Sequence, residues 1–277
     1  MKNIGIKLAA VVALALAPSV AFAGKGGSAE AIQSAVASGS VDAIIAEVER
    51  AEGLNCEECL QAMTNLTEDA RPAVREVAAW WFAKRPTLRD MLAVQFSSDL
   101  PRGDTIKVRN AADFLGHTKT YTSLPQLRAA SHRADLGVDA RLALVGAVRY
   151  MAHTGGNEVL LAAMADADGS VRAAAVAAWR EVLDQKTAQP VVALLGDRDA
   201  YVRGQAAGVV GGMREASGRV ALEALVTSDA DPVVRRNAAW ALGQLGSEAS
   251  RAALLQATTD KSGLVRGVAR ASLASLR

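Results

Sequence analysis

The chain has 277 residues, with 31 Lys and Arg against 29 Asp and Glu and a formal net charge of +2. That is too near neutrality for the basic footprint that nucleic-acid binding requires. Hydrophobic residues make up 51% and aromatic residues only 4%, so burial falls to Ala, Val and Leu, which suits interlocked helices.

Residues 1–23 read as a secretory signal peptide. Lys2 and Lys7 form a basic start, LAAVVALALA an apolar run, and Ala21-Phe22-Ala23 a small-residue cleavage site before Gly24. The apolar run is short for a membrane span, and no Cys follows the cleavage site. The expectation is an exported mature protein with no membrane span, periplasmic or extracellular. Losing Lys2 and Lys7 leaves 29 basic residues against 29 acidic ones, which again argues against a nucleic-acid partner.

Residues 24–28, GKGGS, read as a flexible start. Two helical patterns follow, and with them residues 24–53 form an N-terminal helical cap whose polar Glu47, Glu49, Arg50 and Glu52 tolerate water. From residue 54 to 277 the chain repeats itself. Val precedes Arg at Arg75, Arg109, Arg172, Arg203, Arg235 and Arg266, and Ala140-Arg141 fills the gap. Successive arginines stand 34, 32, 31, 31, 32 and 31 residues apart. So regular a period over seven units marks a stacked array rather than one globular core.

Six residues before the Arg stand Asp69, Asp135, Asp166, Asp197, Asp229 and Asp260, with Gly103 in the second unit; three after it stands Ala in every unit but the third, which has Leu144. An Asp and an Arg six apart ahead of an Ala-rich helix resemble the HEAT repeat, in its short bacterial form. The resemblance covers residues 54–277 and implies an all-α fold, a right-handed superhelical α-solenoid of about seven helix pairs. It also implies a long concave surface lined by the second helices. The Asp and Arg columns are expected to be a structural ladder, with each Asp capping its helix and facing the Arg of the next unit.

Unit by unit, Asn55 with Glu58 looks like a capping box. Pro72 suits a first helical turn and Pro86 a stop. The second unit has the longest turn, SSDLPRGD, expected to emerge from one edge. In the third, Ser123 and Gln126 read as another capping box, and its second helix is expected to run to His153. Units four to seven turn at DADGS, DRDA, DADP and DKSG. The last helix is either a cap or a surface for a partner.

Cys56 and Cys59 are the only cysteines, spaced as a dithiol at a helix start. In an oxidising compartment a local disulfide is expected; a redox pair and unpaired or metal-linked thiols are the alternatives. His117, His132 and His153 have no acidic partner at ligand spacing, so no metal and no cofactor is expected. Trp80, Phe114 and Trp240 share a register five after the Arg and are expected to fill space between repeats. Trp81 lies about 100° round the helix from Trp80 and is the candidate for an exposed anchor.

Two enzyme types share the repeat. Deoxyhypusine hydroxylase holds irons through His-Glu pairs, and no His-Glu dipeptide occurs here; phycobilin lyases are cytoplasmic, and this chain begins with an export signal. The sequence therefore points to a non-enzymatic protein-binding scaffold, with a thiol redox envelope factor as the alternative. Glu76, Trp81, Arg180, Arg214, Arg236 and Gln244 are the candidate surface.

Overall fold

Helices in this chain start on short polar side chains. The Ser28 hydroxyl accepts from the Ala31 N–H and opens α1 (Ala29–Ser38), and Ser40 does the same for Ala43 at the start of α2 (Val41–Arg50). Between them Gly39 takes φ +74°, the left-handed region that glycine enters without a steric penalty. The structure is a computed structural model that describes residues 28–53 and 57–276. The signal peptide, most of the flexible start, the Asn55 cap, Cys56 and Arg277 lie outside the described residues. The chain divides into two compact units between Arg85 and Pro86.

The first unit adds α3 (Glu57–Leu66) and α4 (Pro72–Ala83). Helix α1 lies on α2 and α3, and α2 lies on α4, so the cap is itself a helix pair stacked on the first Arg-bearing pair. Ile32, Ile44, Val48, Met63, Val74 and Phe82 fill the space between them. Trp81 belongs to this core, only 1% exposed, which corrects its reading as a surface anchor. Its indole N–H donates to the Ala51 carbonyl at 2.9 Å, and the Arg85 guanidinium covers its ring at 3.4 Å. The partly exposed member of the pair is Trp80, with Lys84 over its ring.

The second unit holds six further pairs. They are α5 (Pro86–Asp99) with α6 (Thr105–His117), α7 (Leu124–Ser131) with α8 (Val138–Met151), and α9 (Asn157–Met164) with α10 (Gly169–Trp179). After these come α11 (Gln189–Val192) with α12 (Ala200–Gly212), α13 (Arg219–Ser228) with α14 (Pro232–Leu245), and α15 (Arg251–Ala257) with α16 (Gly263–Leu273). No strand occurs among the described residues. Each second helix packs on the second helix of the next pair, from α6 through α8, α10, α12 and α14 to α16.

Small residues set how closely these helices approach. A Cβ on Gly211 of α12 would stand 2.6 Å from the Cα of Ala241 on α14, and one on Gly116 of α6 would stand 2.5 Å from the Cα of Ala147 on α8. Neither neighbour could yield, because the obstacle is backbone. With the pair in the first unit this makes seven Arg-bearing helix pairs, the all-α solenoid that the period predicts. Two local readings differ. Helix α8 stops at Met151, since Ala152 turns left-handed at φ +50°. The Ser123–Gln126 capping box does not form, because the Ser123 N–H already donates to the Thr120 carbonyl in a 3-10 turn, and its hydroxyl goes to the same atom.

Candidate functional site

The Arg and Asp columns fix the second helices in register. Arg172 donates through Nε and Nη2 to the two carboxylate oxygens of Asp197, both at 2.7 Å, and through Nη1 to the carbonyls of Asp166 and Ala167. Arg203 makes the same set with Asp229 and the carbonyls of Asp197 and Arg198, and Arg235 with Asp260 and the carbonyls of Asp229 and Ala230. Each rung thus joins an Arg to the Asp of the following repeat, so an Asp faces the Arg behind it. This corrects the expected direction.

The capping role is also displaced. Asp166, Asp197, Asp229 and Asp260 each accept from the N–H two residues on, closing the turn. The helix caps proper are Asp168, Asp199 and Asp231. Toward the array's earlier repeats the ladder weakens. The Nε of Arg141 lies 3.2 Å from Asp166 but makes no hydrogen bond. Arg109 turns to Asn110, and Asp135 to Arg133. Arg266, at the last pair, keeps only the carbonyls of Asp260 and Lys261. In the first unit Arg75 binds the carbonyls of Asp69 and Ala70, and the Asp69 carboxylate pairs with Arg71.

Hydrogen bonds from Arg172 hold the Asp197 carboxyl below the usual carboxylate range, and those from Arg235 do the same for Asp260. At Asp229 burial pushes upward, but Arg203 and the turn N–H outweigh it and the carboxyl again titrates low. Each of these carboxylates accepts two bonds from an arginine and one from the turn N–H, and so ties one repeat to the next.

With the ladder as frame, the C-terminal ends of the second helices present a partly exposed strip in the second unit. At one end the His117 and Tyr150 rings meet at 3.9 Å, and Arg149 pairs with Glu181 at 2.7 Å. Further along, Arg180 closes α10 beside Gly212 of α12. A Cβ on Gly212 would stand 3.5 Å from the Arg180 Nη1 and 3.8 Å from the Trp240 ring. Arg180, Gly212 and Trp240 therefore form a shallow basic and aromatic notch. Trp240 is 39% exposed, although its register-mate Phe114 is buried against Phe96. Trp240 fills space between repeats against Gly211 and Gly212 of α12, as its register predicts, but leaves part of its ring exposed.

The other candidates scatter. Arg214 is exposed past the end of α12, Arg236 donates to Asn237, which in turn donates to the Gly204 carbonyl, and Gln244 is half-buried. Glu76 lies exposed on α4 in the first unit. What sequence reasoning missed is Gly212; its signal was the Gly211-Gly212 pair inside a helix, one glycine for helix contact and one open to solvent.

Cys59 is wholly buried on α3, and its expected partner Cys56 lies outside the described residues. His153 accepts from the Gly155 N–H and faces the Tyr121 ring, while His132 is exposed. Among the described residues no helix is long and apolar enough to cross a membrane.

The family signature described as HEAT repeats matches residues 157–230 and 188–274, and that part of the chain is built of HEAT repeats. No curated protein sequence matches the chain. The Escherichia coli protein YibA is similar in structure, with a TM-score of 0.57 and 14% identity over 88% of this chain and 92% of its own. A chain of the Kap95p–RanGDP structure gives 0.58 at 13% identity, over 88% of this chain but only 38% of its own. Human deoxyhypusine hydroxylase gives 0.39 at 18% identity over 89% and 95% of the two chains, a likeness too slight to carry an argument. The first two show the fold alone.

Proposed function

We propose that the chain is an exported, non-enzymatic scaffold that holds a protein partner on the partly exposed strip of its second helices. The supporting observation is the notch of Arg180, Gly212 and Trp240. Exposed Trp and Arg are the side chains that most often carry binding energy in protein interfaces. The partner it fits offers an acidic side chain to Arg180 next to an apolar group for Trp240. HEAT repeats hold such side chains at fixed spacing, and the ladder keeps that spacing constant.

The experiment is site-specific photocrosslinking in the native host, with benzoylphenylalanine at position 240, at position 180, and at Leu161, which is exposed on the first helix α9. One recurrent adduct from positions 240 and 180, absent from 161, is expected. Equal labelling at all three would remove the strip as the docking face. Export is checked by N-terminal sequencing of the protein from fractionated cells, which should begin at Gly24.

The same reading makes Cys56 and Cys59 a structural disulfide. Cys59 is wholly buried in the packing of α3, where a disulfide would tie the start of that helix. A thiol titration of the denatured protein should find no thiol until reductant is added.

A further inference from the structure

A cleft of about 970 Å³ opens in the second unit between α5, α7 and the turn that joins α6 to α7. Its origin is local. Helix α5 runs 14 residues and α7 only 8, and the long turn after α5 carries Pro101 and Arg102 to the rim. The first helices α5 and α7 therefore separate, where α13 and α15 lie side by side. The volume falls within the about 300–1,000 Å³ typical of small-molecule sites.

The lining mixes polar and apolar groups and carries a net positive charge. Arg89 is neutralised by Asp90 at 2.8 Å, whereas Arg102 and Lys119, one on each wall, take no ion pair among the described residues. Hydroxyls of Ser97 and Thr122 line the cleft without an intramolecular hydrogen bond. So does Gln126, whose Oε1 is buried and has no donor. The capping-box N–H that would have satisfied it is consumed by the 3-10 turn before α7. A buried carbonyl without a donor is unfavourable, and a ligand hydroxyl that donates to it would satisfy it. Val94, 73% exposed, supplies an apolar patch beside these groups.

Two unneutralised cations, free hydroxyls, an acceptor lacking a donor and a small apolar patch match one chemical class. We propose that this cleft binds a sugar-sized anion rich in hydroxyls, with Arg102 and Lys119 holding the anionic group and Ser97, Thr122 and Gln126 the hydroxyls. The anionic group is a carboxylate or a phosphate, and the experiment separates them.

The mature protein is titrated calorimetrically with galacturonate, with glucose 6-phosphate and with glucose. One of the two anions is expected to bind at least tenfold more tightly than glucose, and which one does so identifies the group. Arg102→Ala and Lys119→Gly should each weaken that binding at least tenfold without lowering the denaturation midpoint. Lys119 already stands at φ +51°, so glycine there removes the charge without a backbone cost. Arg214→Ala, at the equivalent turn three repeats further along and outside the cleft lining, should bind as the parent does. No binding by either anion, glucose binding as well as the anions, full affinity in either cleft variant, or an equal loss in Arg214→Ala would each overturn the proposal.

Discussion

A ladder arginine places four hydrogen bonds from three nitrogens, and two of its acceptors belong to the next repeat. Only a planar fork makes that set, so lysine is no substitute. Arg172 and Asp197 have side chains only 7% and 10% exposed, whereas Arg141 is 26% exposed and lacks its Nε bond. Removing one partner of a buried pair leaves an uncompensated charge, which costs about 3–5 kcal/mol. Arg172→Met should lose that much in urea denaturation, and Arg141→Met less than about 1 kcal/mol. The pH dependence has a definite sign. Folded Asp197, Asp229 and Asp260 titrate below their unfolded values, so the ladder's contribution is complete above about pH 4 and is lost as pH falls through the folded values. Arg172→Met should make that acid limb shallower, because Asp197 then loses the largest cause of its depression and keeps only the Asp199 N–H and the charge of Arg198.

Both columns of the ladder were legible in the sequence, but its direction was not. Asp197 lies 25 residues after Arg172 and 6 before Arg203, and a periodic array offers both as neighbours. The backbone decides: Arg203 reaches the Asp197 carbonyl and Arg172 its carboxylate. Likewise, helical period sets Trp80 and Trp81 on different sides but does not say which side is covered. The cleft was invisible for another reason, since a 3-10 turn that takes the Ser123 N–H leaves no mark in the residue pattern.

At the scale of the element, the exit from the second helices is the least relaxed point of the array. Lys119, Ala152, Asp184 and Arg214 take φ between +50° and +59°, and Gly246 stands at +68° in the corresponding place. The left-handed turn is what returns the chain to the next first helix; the Ala152 N–H closes it on the Val148 carbonyl, as Gly246 does on Leu242. An L-residue there pays about 1–2 kcal/mol that glycine does not, offset in part by glycine's greater freedom when unfolded. Ala152→Gly should therefore raise stability by up to about 1 kcal/mol, and Gly246→Ala should lower it by about 1 kcal/mol. Matched urea titrations check both, and a loss in the first would mean that the Ala152 methyl supports packing that outweighs its backbone strain.

Across the second unit, contacts run from each helix pair to the next, so stability is a sum of local terms and not the property of one shared core. The last pair shows what one junction contains. Ser272 of α16 packs into the space left by Gly243, where a Cβ would come within 2.5 Å of its Oγ; Ser275 donates to the Gly243 carbonyl, and Asp260 receives Arg235. Ending the chain after Gly246 removes this junction and leaves every earlier one intact. Helical ellipticity per remaining residue should then stay at the parent value, while the denaturation midpoint falls and the urea m-value drops by roughly a tenth, in line with the surface lost. Collapse of the ellipticity would instead show that the helix pairs fold as one indivisible core, and the local-sum account of the array would fail.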